Sequence, residues 1–239
     1  MSQPWGLVLE TPEGAALHKV VGSVVSSDHA SVEDAIVAAD LPSERLIVLG
    51  RAPATSLPAR LLPDSLSDLG GVLQDAPMGW LSPGQRIMLA GVLHGRANWD
   101  GVICLAEGDA THWVHVSAGE IISFQGAATG RLITALGGTP EVCDTEALAD
   151  TLSRPERLAG HLHSAALAGE AAAVTGHLIG AELAAMRPYW LGQDVLVVES
   201  VGLYAAALQA QGAMVSEIAP EAAWQDGMRT LGKNAGVSS

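Results

Sequence analysis

The chain has 239 residues, enough for one large domain or two smaller lobes around a cleft. Its formal charge of −14, from 26 acidic and 12 basic residues, argues against a surface built to neutralise nucleic-acid phosphates. Hydrophobic residues make up 49% and aromatics only 4%, so Ala, Val and Leu must fill the core, which suits close packing of helices on a sheet.

The negative field repels anionic substrates at long range unless arginines are focused locally. The plainer reading of the acidity is solubility. Cys104 and Cys143 are the only cysteines. They make neither a disulfide framework nor a metal-ligand spacing, and Cys104, inside the apolar run from Val102 to Leu105, reads as a buried free thiol. No signal-peptide pattern opens the chain and no apolar run approaches a membrane span, so a soluble cytoplasmic protein is expected.

In chain order, Gly6 to Glu10 and Ala15 to Val20 flank Thr-Pro-Glu-Gly and predict a hairpin. Ser31-Val-Glu-Asp34 opens a helix, with Ser31 as cap and the acids at the positive helix end. Arg45 to Leu49 is a short strand. Residues 51–80, rich in Pro, Ser, Asp and Gly, form a long irregular stretch, either a functional loop or a plain connector. Ser82-Pro83 starts a helix through about His94, with proline in the first turn.

Val102 to Leu105, Trp113 to Val116 and Glu120 to Gln125 read as strands, and Ser117-Ala-Gly119 joins the last two tightly. A helix follows from Thr129-Gly130 to Leu136. Asp144 to Leu152, Pro155 to Leu167 and Gly169 to Met186 make a helical middle. Gly176 and Gly180, four apart, let another backbone approach closely, and this helix is expected to be buried against the sheet. Val195 to Val198 is a continuous apolar strand, as when both faces are covered. Leu203 to Gln211 is a helix, Ala213 to Ile218 a strand, and Pro220 begins the last helix, so the two strands pair in parallel. The tail after Leu231 is expected to fray.

In open α/β sheets, ligands bind beyond the carboxyl ends of strands. Three turns qualify: Glu199 to Gly202, Ala106 to Thr111, and Ala128-Thr-Gly130 at a helix start, where N–H groups can hold an anion. Gly108, Thr111, Thr129, Gly130, Glu199 and Gly202 are the ligand-binding candidates, and Asp109 is the one catalytic candidate. Glycine at such turns also has a purely geometric explanation. His112 and His115 fall on opposite faces of a strand, and His161 and His163 do not share a helix face. Structural or surface histidines are the expectation, with no metal site. No Walker loop and no G-x-S-x-G elbow is present.

Thr175-Gly-His-Leu-Ile-Gly-Ala-Glu182 closely resembles the helix S-G-L-L-I-G-A-E of the 2-dehydro-3-deoxygalactonokinases, sugar-acid kinases of the actin–hexokinase superfamily. Leu196-Val-Val-Glu199 resembles that family's strand L-V-A-G, and Gln209-Ala-Gln-Gly212 its Q-A-x-G. Ala223-Trp-Gln-Asp-Gly-Met-Arg229 resembles its last helix, A-F-Q-A-G-hydrophobic-R. Upstream, Gly108, Trp113 and Val114 match its P-G-T-H-S-K-W-V, with Ala110 and His112 in place of His and Lys. Thr129-Gly130 matches its T-G-E-L, with Arg131 for the acid. Ser82 to Arg86 stands at its R-G-E-E-T-Q without the two acids. At the N-terminus the family's D-W-G-[ST]-[ST] is kept only as Trp5-Gly6: Pro4 replaces the phosphate-loop Asp, and Leu7-Val8 replace the hydroxyl pair.

The resemblance covers the last three-fifths of the chain and is strong in its final quarter. It implies an α/β protein of actin/hexokinase-like (ribonuclease H-like) architecture, two-lobed, with mixed sheets flanked by helices. Residues 1–135 would form a lobe with a degenerate phosphate-binding half, and residues 136–239 the helical middle and the C-terminal α/β lobe. It further implies ATP and magnesium if the protein is active, with a sugar acid and a nucleotide as small-molecule partners, and leaves room for a homodimer. Two functions follow from it. One is phosphorylation of 2-dehydro-3-deoxygalactonate with Asp109, Glu107 or Arg86 compensating for the lost groups. The other is a catalytically inactive, sugar-acid- or nucleotide-binding paralogue with a regulatory or partner role. An interaction protein with no small-molecule role is a third reading.

Overall fold

The structure is a computed structural model and describes residues 3–237. It is mixed α/β and divides into two compact units. The first unit comprises the chain up to Trp99, the segment Ala118–Ile121 and the chain from Glu221 on. The second comprises Asp100–Ser117 and Ile122–Pro220, so residues 135 and 136 both lie within it.

The first unit opens with β1 (Trp5–Thr11), β2 (Gly14–Val21) and β3 (Ser23–His29), then α1 (Val32–Ala39) and β4 (Leu46–Leu49). Their sheet runs β3-β2-β1-β4, with antiparallel pairs except β1–β4, which is parallel. Ser31 caps α1 by accepting from the Asp34 N–H at 3.1 Å. Both faces of β1 are covered. Val8 packs with Val32, Ala35 and Ala39 of α1, while Trp5 and Leu7 pack with Ile87, Met228 and Leu231. The positions where the resembled kinases carry hydroxyls are therefore core positions here.

Residues 51–80 are not featureless. They hold β5 (Thr55–Ser56), β6 (Ala59–Arg60), β7 (Val72–Gln74) and β8 (Gly79–Leu81). Next comes α2 (Pro83–Val92), entered through a reciprocal capping box of Ser82 and Gln85. Arg86 on α2 is 1% exposed. Its guanidinium donates to the carbonyls of Leu61 (3.2 Å), Gly70 (2.6 Å) and Arg60 (2.6 Å), so it holds the 51–80 segment down. Burial lowers its pKa to about 10. A cation committed to three carbonyls is no replacement for a lost phosphate ligand, and the expectation that Arg86 could compensate is corrected.

The second unit begins with β9 (Gly101–Glu107), β10 (Ala110–Ser117) and β11 (Glu120–Ala127), the last shared with the first unit, and α3 (Thr129–Ala135). Four helices follow: α4 (Thr145–Ser153), α5 (Leu158–Ala168), α6 (Ala171–Ala185) and α7 (Arg187–Trp190). Then come β12 (Asp194–Val198), α8 (Leu203–Ala210) and β13 (Met214–Ile218), while α9 (Pro220–Asn234) returns to the first unit. Within this unit the strands run in the order β13-β12-β9-β10-β11, with β12 parallel to both β9 and β13. Read from its antiparallel trio, it repeats the first unit's order, with β9, β10, β11 and β12 in the places of β1, β2, β3 and β4.

Gly176 and Gly180 do admit a close backbone, but it belongs to α4 rather than to the sheet. A Cβ on Gly176 would overlap the Asp144 carbonyl, and one on Gly180 the Leu148 carbonyl. α2 and α9 meet in the same way, at Gly91 and Gly227. That docking corrects the expected fraying after Leu231. α9 continues to Asn234, and Val237 is buried in the first unit's core. Ser238 and Ser239 lie outside the described residues.

Candidate functional site

Two parallel strands, β9 and β12, end side by side, with Leu105 opposite Val198. Beyond their carboxyl ends lies a pocket of about 190 Å³. It is lined by the β9–β10 turn (Glu107, Gly108), by Thr111 and Gly130, and by Glu199 and Tyr204 around the start of α8. Of the sequence candidates, Gly108, Thr111, Gly130 and Glu199 thus meet in one place. Gly202, Thr129 and Asp109 do not line it.

Each of those three has a definite position. Gly202, at φ 81°, is the residue before α8, and a Cβ on it would come within 3.3 Å of the Glu217 carboxylate. Thr129 is buried, its hydroxyl directed to Glu182. Asp109 is exposed at the turn, 3.7 Å from the Arg131 guanidinium, a separation worth little in water. Its carbonyl also accepts the N–H of Arg131, which takes up one of the free amides at the start of α3.

Glu199 has a role the sequence did not show. No side chain of the residue preceding α8 caps that helix. The Glu199 carboxylate does so from three residues earlier, accepting from the N–H groups of Tyr204 (3.0 Å) and Ala205 (2.7 Å). An anion at a helix N-terminus is favoured by the unpaired amides and by the helix dipole. Here the protein supplies that anion itself. Burial pushes the Glu199 carboxyl up, and the two amides pull it back.

Beneath the pocket lies a second carboxylate, Glu182 of α6, 5% exposed. It accepts from Trp113 Nε1 at 2.7 Å and from the Tyr204 hydroxyl at 2.8 Å. The Thr111 hydroxyl stands 3.1 Å from that of Tyr204. Since Tyr204 gives its proton to Glu182, Thr111 donates to Tyr204. Burial raises the Glu182 carboxyl, opposed by hydrogen bonds from Thr129, Trp113 and Tyr204. The sequence signal was a lone acid within Ile-Gly-Ala-Glu-Leu-Ala-Ala-Met, a run otherwise fit for burial. The Cys104 thiol is fully buried nearby and is pushed far up by that burial, so it behaves as an inert small hydrophobe.

Among the described residues, no group of three or more His, Cys, Asp or Glu side chains is arranged to hold a metal ion. No described helix is long and apolar enough to cross a membrane. His161 and His177 instead form a clasp between helices. The Thr151 hydroxyl on α4 lies 2.7 Å from His161 Nδ1 on α5 and 2.8 Å from His177 Nδ1 on α6. His161 Nε2 is 3.2 Å from the Asp150 carboxylate, and the two rings stand 4.7 Å apart.

This clasp predicts acid sensitivity. Burial and then His161 hold the His177 pKa below its ordinary 6.5. As pH falls below 6.5 the unfolded chain therefore takes up the proton first, and stability drops between 6.5 and the depressed value while being complete above it. His18, lowered by burial against Asp28, has the same sign. The raised Glu182 and Glu199 have the opposite one, stabilising most below 4.5 and losing that contribution as pH rises through their raised values. Urea unfolding at a series of pH values should show a shallower slope below 6.5 in His177→Asn than in the wild type. An identical slope would refute the assignment.

A pocket beyond the carboxyl edge of parallel strands is the position where open α/β sheets generally bind ligands. Residues 141–231 match the model of the 2-keto-3-deoxy-galactonokinase family. That segment includes Thr175 to Glu182, where the sequence resembles the same family. A solved structure from Sinorhizobium meliloti, of a candidate 2-dehydro-3-deoxygalactonokinase, shares the fold with a TM-score of 0.74 at 19% identity. The likeness covers 96% of this chain and 98% of that one. No curated protein matches the chain.

Proposed function

We propose that the protein is a catalytically eroded sugar-acid kinase, one that keeps a small-molecule pocket and has lost most of its capacity for phosphoryl transfer. The ancestral reaction on this reading is transfer from ATP to 2-dehydro-3-deoxygalactonate. The repeated strand order of the two units supports reading them as the two lobes of an actin/hexokinase-like kinase.

The observation that carries the proposal is the charge of the pocket. Phosphoryl transfer is catalysed by positioning and by neutralising the phosphate oxygens with metal and cations. Neither Lys nor Arg lines this pocket, while Glu107 and Glu199 do. The first amides of α8 already serve the Glu199 carboxylate. At the N-terminus, Pro4 occupies the place of the family's phosphate-loop Asp. This donor set does not fit magnesium–ATP, so the supported reading is binding of a sugar acid or similar polyol through its hydroxyls, with any acid group turned away from Glu107 and Glu199, without efficient turnover and in a regulatory or partner role. An active kinase is favoured by one feature, the two carboxylates Glu107 and Asp109 on a single turn, which could hold magnesium.

The two readings separate in one assay. Wild type at micromolar concentration should release no ADP above background with magnesium, ATP and 2-dehydro-3-deoxygalactonate, yet be thermally stabilised by the sugar acid. Turnover, or no shift with any sugar acid or nucleotide, would sink the proposal. Glu199→Gly tests the cause. Once the carboxylate is gone, ADP or inorganic phosphate should stabilise the variant by about 1–2 kcal/mol at ten- to thirtyfold excess over Kd, and leave the wild type unmoved.

A further inference from the structure

The first unit holds a larger cavity, about 370 Å³, formed by the end of α2, the turn that follows it, the β10–β11 turn and the end of α9. Leu61, Leu93 and Trp99 line it as apolar walls, and Arg96, Asn98 and Asn234 as polar groups. No Asp or Glu lines it, although the chain as a whole carries a charge of −14. Arg96 makes no ion pair and no side-chain hydrogen bond among the described residues. Most of the other arginines are engaged, Arg45 and Arg86 with carbonyls and Arg51, Arg60, Arg131, Arg154 and Arg229 with carboxylates.

We propose that this cavity is a second binding site, for a small monoanionic carboxylate with an apolar body. The chemistry follows from the lining. An arginine fork matches a carboxylate with two parallel N–H···O bonds. The neighbouring asparagine amides can donate to it or accept from a hydroxyl beside it. The leucine and indole walls take up the body of the molecule, since a pocket gains most of its affinity from apolar area and its orientation from a few polar groups. A single cation in an acidic protein matches one negative charge. A dianionic phosphate monoester would bring a second charge with no partner into a repulsive field.

Benzoate is the direct probe, with benzamide lacking the charge, acetate lacking the body and phenyl phosphate carrying an extra charge. Calorimetry should show saturable binding of benzoate in the millimolar range or tighter, with benzamide, acetate and phenyl phosphate each at least about tenfold weaker. Arg96→Gln, at an exposed turn, should fold normally and weaken benzoate at least about tenfold. Trp99→Phe should keep the binding and lose the tryptophan-fluorescence change that accompanies it. Absence of saturable benzoate binding, undiminished binding in Arg96→Gln, or equal affinity for benzamide would overturn the site.

Discussion

Alanine at Gly180 is expected to destabilise the protein by more than about 3 kcal/mol, whereas alanine at Gly160 should stabilise it by about 0.5–1 kcal/mol. Both glycines lie inside helices, and in an isolated helix both changes would be favourable, because alanine restricts the unfolded chain and propagates the helix better. The difference lies in what surrounds them. A Cβ at Gly160 on α5 meets nothing within 4 Å. A Cβ at Gly180 overlaps the Leu148 carbonyl oxygen and comes within 3.1 Å of the Leu148 carbonyl carbon and the Leu152 nitrogen, all of them α4 backbone. Backbone cannot rotate aside as a flexible side chain does. α4 must move, and with it the Thr151 hydroxyl that serves both His161 and His177. Gly176→Ala should resemble Gly180→Ala, since its Cβ overlaps the Asp144 carbonyl one turn earlier. Denaturant unfolding of the three variants settles the matter, and a neutral or stabilising Gly180→Ala would show that α4 and α6 are less closely docked than drawn.

The same glycines show how far the sequence could be read. Their spacing announced a close backbone approach, but periodicity cannot say which element approaches, and the partner proved to be a helix some thirty residues earlier in the chain. The elements with strong local signals were legible: the Thr-Pro-Glu-Gly turn, the caps at Ser31 and Ser82, the apolar run of β12 with its parallel partner. β3 was not, because Ser23-Val-Val-Ser-Ser-Asp-His29 is an edge strand, mostly exposed, and carries no buried face to pattern it. The short strands of residues 51–80 were hidden for a different reason. Their organiser is Arg86, whose three carbonyl partners lie sixteen to twenty-six residues away. At the pocket, the turns at Gly108 and Glu199 were found from the general rule for α/β sheets. The direction of the Glu199 side chain, back onto its own helix, was not, because a turn-spaced glutamate has no fixed rotamer in sequence.

Glu182 is the residue whose replacement should most clearly separate charge from hydrogen bonding. Glu182→Leu keeps much of the volume but leaves the Trp113 N–H and the Thr129 O–H buried without the acceptor they share, while the Tyr204 O–H can turn to Thr111. Each orphaned donor costs about 1–3 kcal/mol, partly offset by relief of a desolvated carboxylate, so a net loss of about 2–4 kcal/mol is expected. Glu182→Gln should cost about 1 kcal/mol or less. Its carbonyl oxygen still accepts from Trp113, and its amide donates to the Tyr204 oxygen. The Tyr204 proton then turns to Thr111, whose hydroxyl accepts instead of donating, which reverses one link of the chain without breaking it. If thermal unfolding places Glu182→Gln level with Glu182→Leu, the negative charge itself matters and the hydrogen-bond account is wrong. The leucine variant should also free Tyr204, a pocket-lining residue, and so weaken any stabilisation by sugar acid, whereas the glutamine variant should keep it. Glu182 would then be a residue that positions the site from below without touching the ligand.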